Sequence, residues 1–141
     1  MNLVQGLILV FTRIGNIVEA LRVGKAGRDE TNSYTKAQRG TVSSVPYAAS
    51  MSLDMTLSNN FSIVLGGDVS MAAPTGLVAN ELQGGLIFIK QDATGSRAAT
   101  WSAEWLKDGT FSEDTASNKT AIYQYTVIST TQVLVQYLRS V

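Results

Sequence analysis

The chain has 141 residues, 45% hydrophobic and 16% charged, a length and balance that fit one folded domain with its own core. It contains no cysteine and no histidine, which excludes disulfides, the two commonest transition-metal ligands and the histidine-based nucleophile systems. Lysine plus arginine and aspartate plus glutamate stand at 11 each, and with no basic run there is no electrostatic footprint for nucleic acid.

The charge is unevenly spread. Residues 1–40 carry six Lys/Arg against three Asp/Glu, and residues 41–141 carry five against eight. Leu3, Leu7, Val10, Ile14, Ile17 and Leu21 follow the alternating spacing of 4 and 3 that defines a heptad seam, predicting a helix over residues 1–24. Val4, Phe11 and Val18 fall beside that seam and widen it. Such a surface packs either on its own domain or against a larger assembly, and its breadth favours the assembly. The predicted assembly interface is therefore Leu3, Leu7, Val10, Phe11, Ile14, Ile17, Val18 and Leu21. The apolar run from Leu7 to Phe11 is far shorter than a membrane span, and no membrane partner is expected. Gly24 and Gly27 stop the helix, and residues 25–40 are polar and aperiodic, predicting an extended arm.

From residue 41 the period becomes two. Thr41–Val45 reads as a strand, and Met51, Leu53, Met55 and Leu57 alternate with polar residues as in a half-buried strand. Ser58-Asn59-Asn60 predicts a turn, with Phe61, Ile63 and Leu65 on the return strand. Val69–Met71 is a short strand leading into the turn at Ala73-Pro74-Thr75-Gly76. Leu86-Ile87-Phe88-Ile89 is an unbroken apolar run, the pattern of a strand covered on both faces. Ala98–Trp105 is its expected partner strand, with Trp101, Ala103 and Trp105 on one face. Ala121–Ile128 and Gln132–Leu138 form the best hairpin in the chain. The predicted fold is mainly β: an antiparallel β-sandwich or jelly-roll-like domain over residues 41–141, preceded by the N-terminal α-helix and the arm.

The order of short motifs resembles that of bacteriophage virion proteins, in particular the β domain of tail-fibre and minor structural proteins. Thr35-Lys36-Ala37-Gln38-Arg39-Gly40-Thr41-Val42 is similar to the motif that introduces that domain. Asn59-Asn60-Phe61, Gly66-Gly67, Ala73-Pro74-Thr75 and Gly84-Gly85-Leu86-Ile87-Phe88-Ile89 continue the likeness, and Gln91-Asp92-Ala93-Thr94-Gly95-Ser96-Arg97 followed by Trp101 and Trp105 is its most distinctive part. Thr12-Arg13-Ile14-Gly15-Asn16 resembles the helical openings of such fibres. The resemblance implies a non-enzymatic structural component of the virion, made in the host bacterial cytoplasm, oligomeric with a trimer favoured, and partnered by other virion proteins of tail or capsid. A short tail-fibre or tail-associated subunit comes first, and a capsid decoration or cement protein is the alternative.

The residues themselves suggest no chemistry. Asp29-Glu30 and Glu113-Asp114 are adjacent acids in polar loops, without a partner base. Gly66-Gly67-Asp68 and Asp92-Ala93-Thr94-Gly95 do not match a calcium loop and read as turns, so neither metal nor cofactor is expected. Exposed together, Trp101 and Trp105 would stack on a host surface glycan; buried, they are core, the reading favoured by their alternation with Ala103.

Overall fold

The structure is a computed structural model that describes residues 40–78 and 82–141. These residues form nine strands: β1 (Val42–Val45), β2 (Ser50–Met51), β3 (Asn60–Val64), β4 (Val69–Met71), β5 (Gly84–Lys90), β6 (Ala99–Trp101), β7 (Trp105–Lys107), β8 (Thr120–Val127) and β9 (Val133–Ser140). They make a six-stranded sheet in the order β1-β3-β5-β8-β9-β7 and a three-stranded sheet in the order β2-β4-β6. The mainly β expectation holds, as does the packing of two sheets about one core. The predicted N-terminal helix, and all of the arm but Gly40, lie outside the described residues.

The pairing direction differs from the antiparallel, jelly-roll-like expectation. Five of the seven strand pairings are parallel, and only β5–β8 and β8–β9 are antiparallel. From β1 to β6 the chain alternates between the sheets, and each strand lies parallel to the one two positions earlier. This is the winding of a β-helical coil, here three coils long. Asn59-Asn60 is therefore a corner and not a hairpin turn: β2 and β3 belong to different sheets, as do β5 and β6. Alternation of apolar and polar residues is the same in parallel and antiparallel strands, so periodicity does not distinguish the two.

The inward side chains follow that alternation. Phe61 and Ile63 of β3, Ile87 and Ile89 of β5, Tyr123 and Tyr125 of β8, and Val133 and Val135 of β9 are buried against Met51, Val69 and Met71 of the smaller sheet. Leu53 and Met55 are buried too, as the predicted alternation requires, although regular strand pairing ends at Met51. Thr75 there donates its N–H to the Leu53 carbonyl at 2.9 Å, and Met55 N–H donates to the Thr75 carbonyl at 2.9 Å. The hairpin of β8 and β9 forms as predicted and caps the coil stack through the β5 edge.

The distinctive motifs are the joints between coils. Tyr47 lies over the Gly66-Gly67 backbone and its hydroxyl donates to the Asp68 carbonyl at 2.9 Å. Asp68 Oδ1 then accepts the Ala98 N–H at 2.9 Å, linking the next coil. At Gly85 a Cβ would sit 1.6 Å from the Asn59 carbonyl oxygen, so only glycine admits this approach. That same oxygen accepts from Leu86 N–H at 3.2 Å and from the Tyr125 hydroxyl at 3.1 Å.

Candidate assembly surface

The predicted interface residues Leu3, Leu7, Val10, Phe11, Ile14, Ile17, Val18 and Leu21 lie outside the described residues, as do Asp29 and Glu30. The remaining candidates can be placed. Gln91 is buried, and its side-chain amide accepts from Arg97 N–H and donates to the Arg97 carbonyl, both at 2.9 Å. Asp92 accepts from Thr94 and Gly95 N–H and takes a forked pair from Arg97 at 3.1 and 2.9 Å. The hydrogen bonds from Arg97 come first in holding its carboxyl below the usual carboxylate range, followed by the one from Gly95. Gly95 has φ +71°, and a Cβ there would meet backbone of residues 115–117 at 2.6–3.0 Å. The segment from Gln91 to Arg97 is thus a self-satisfied corner with its carboxylate already engaged.

The acids elsewhere are engaged in the same local way. Glu113 accepts the Tyr123 hydroxyl at 2.5 Å, and burial, reinforced by that bond, pushes the Tyr123 phenol far above its ordinary value. Asp114 accepts the Ala116 N–H and lies 4.0 Å from Lys119 on an exposed loop, where an ion pair contributes little. Among the described residues no group of three or more acids, histidines or cysteines is placed to hold a metal ion.

Trp101 and Trp105 do not share one strand. The chain passes from β6 to β7 through a tight turn in which Trp105 N–H donates to the Ser102 carbonyl at 3.1 Å, and Ala103 is exposed. Crossing from one sheet to the other brings the indoles edge to face, with centroids 5.2 Å apart and planes at 78°. Trp101 is further packed by Phe111 and Tyr123 at 5.9 and 5.1 Å, and Trp105 Nε1 donates to the Ala72 carbonyl at 2.8 Å. Trp105 is 3% exposed. The pair is core, as the sequence favoured, and does not form a two-indole platform.

The family described as "Putative phage tail fibre C-terminal domain" matches residues 32–131, most of this chain. The chain belongs to that family. Comparison with curated proteins and with solved structures finds no match. Membership of that family makes the protein a structural virion component and implies association with other virion proteins.

On the β domain the structure shows an apolar outer face that the sequence did not single out. On the outer face of the six-stranded sheet, Leu86 and Phe88 of β5 stand beside Gln124 and Ile122 of β8. Val42 and Val64 lie on the β1 and β3 side, and Leu106 pairs with Leu134 across β7 and β9. Val64 is 54% exposed and Leu134 39%. The signal was in the Leu86–Ile89 run, whose apolar residues fall on both faces; Ile87 and Ile89 are buried, whereas Leu86 and Phe88 are half-buried.

Proposed function

We propose that the protein is a non-enzymatic, oligomeric tail-fibre or tail-associated subunit, with a trimer favoured, which is anchored through its N-terminal helix and presents the β domain outward. The observation that carries this reading is the family match over residues 32–131, preceded by the heptad seam from Leu3 to Leu21. In this reading Leu3, Leu7, Val10, Phe11, Ile14, Ile17, Val18 and Leu21 are the assembly interface, the helix occupies residues 1–24 and the arm residues 25–40. The described residues support a structural role: their acids serve local turns and loops, and their paired indoles pack a core.

Light scattering of the purified full chain tests the oligomer. A stable multimer that falls to monomer on Ile14→Asp or Leu21→Asp is expected, and a monomeric wild-type chain overturns the reading. Copy number per virion tests the location. A few to tens of copies fit a tail position, and hundreds would move the protein to the capsid as a decoration or cement protein.

A further inference from the structure

We infer that the outer face of the six-stranded sheet is an intersubunit surface, covered in the assembled protein by a second copy of this chain. The inference rests on the oligomeric reading and adds the β-domain surface through which the copies meet. Its basis is a mismatch within β5. Leu86-Ile87-Phe88-Ile89 is apolar on both faces, and the smaller sheet covers only the face of Ile87 and Ile89.

The chemistry of the face selects the occupant. The middle rows run Val42-Asn60-Leu86-Gln124-Gln136 and Ser44-Ser62-Phe88-Ile122-Arg139, aliphatic and aromatic side chains among hydroxyls and amides, with one cation at the β9 end. Hydroxyls and amides both donate and accept, so such a face can meet the same face of other copies about a twofold or a threefold axis. Its two cations, Lys90 and Arg139, sit near one end, beside Thr120 and Ile122, and no acidic residue stands in the rows. An acidic partner would call for cations spread over the face, whereas a second copy needs only that like charges stay at the rim. A concavity of about 120 Å³ lined by Gln124, Tyr125, Thr126, Leu134 and Gln136 lies at the uncharged end. Six strands of up to eight residues give a face of roughly 600 Å² in projection at ordinary strand spacing, the order of the ~800 Å² each partner contributes to a standard-size interface.

The chain has no cysteine, so a single introduced thiol reports one position. Gln124→Cys marks this face and Thr100→Cys marks the outer face of the smaller sheet; both parent residues are exposed in the single chain. In the full-length protein at a concentration where light scattering shows a multimer, maleimide should label Gln124→Cys at least about tenfold more slowly than Thr100→Cys. Protection should disappear on dilution to monomer and on adding Ile122→Glu. Equal labelling in a multimer overturns the assignment of this face and leaves the oligomeric reading intact. A chain that is monomeric at all concentrations overturns both. Protection that persists in the monomer also overturns the assignment, because the cover then comes from within one chain. If Ile122→Glu does not fold, the dilution arm alone decides.

Discussion

The two sheets present different outer surfaces although they share one core. On the smaller sheet the outward row is Ser50, Ser70 and Thr100, all short, polar and exposed. On the larger sheet the corresponding rows carry Val42, Val64, Leu86, Phe88, Ile122 and Leu134. Both are built from mostly parallel strands, so pairing direction does not account for the contrast. The side chains account for it: small hydroxyls tolerate water at no loss, whereas each aliphatic group withdrawn from water contributes in proportion to its area. One sheet can therefore end at solvent and the other gains from a partner.

The most severe way to break this arrangement is to separate the coils. Gly85→Ala drives a Cβ into the Asn59 carbonyl oxygen, and neither group can yield without moving a strand. A loss of about 4 kcal/mol or more in denaturant unfolding is expected, at the upper end for single substitutions. Next in size, Ile87→Ala should cost about 2–5 kcal/mol, because Ile87 is fully buried between the sheets. Its neighbour Phe88 sharpens the comparison. In the dissociated chain Phe88→Ala should cost less than Ile87→Ala, since the ring is only partly buried. In the multimer the same substitution should weaken association, seen as a lower midpoint at a given concentration and as dissociation that begins at higher concentration. If Phe88→Ala matches Ile87→Ala in the dissociated chain, the two faces are not different.

Much of this was legible in the sequence because alternation reports burial directly. Met51, Leu53, Met55, Phe61, Ile63 and Leu65 were placed on the correct side, whereas Leu57, expected to continue the first alternation, is 70% exposed because regular strand pairing has ended at Met51. Pairing direction was not legible, for a physical reason. A corner and a hairpin turn use the same residues, and Asn59-Asn60 or Gly66-Gly67 serves either. Nor did the coils announce themselves as a repeat. The register steps from Val42 to Asn60 and then from Asn60 to Leu86, 18 and then 26 residues, so the turns between strands differ in length and content. The apolar outer face was half legible: the two-sided apolar run at Leu86–Ile89 was visible, but its outward neighbours Val64, Ile122 and Leu134 come from strands whose adjacency only the topology reveals.

A smaller effect separates the inner and outer positions of β8 by pH. Tyr125 faces the core with its hydroxyl on the Asn59 carbonyl, and burial pushes its phenol up to about 12. The folded value lies above the unfolded one of about 10, so the neutral phenol's contribution is complete below pH ~10 and is lost as pH rises towards about 12. Alkaline unfolding followed by circular dichroism should show that decline. Tyr125→Phe should make it shallower, leaving the part due to the buried Tyr123, while removing one hydrogen bond at a cost of about 1 kcal/mol at neutral pH. A Gln124 substitution should leave the alkaline limb unchanged, since that side chain points away from the core.

The smallest expected effect is the most informative about the contrast between the sheets. Thr100 is exposed in the outward row of the smaller sheet, and its hydroxyl makes only a long, 3.3 Å bond to the Val69 carbonyl. Thr100→Glu should change stability by no more than about 0.5 kcal/mol and leave the mass by light scattering unaltered. Ile122→Glu puts the same carboxylate on the larger sheet, where a partner would bury it without a counter-charge unless Arg139 beside it could turn to meet it. An unpaired buried charge is strongly destabilising, so the two variants should differ in association far more than in monomer folding. If Thr100→Glu also dissociates the protein, copies meet through the polar sheet as well, and the difference in outer surface then reflects two interfaces of different chemistry.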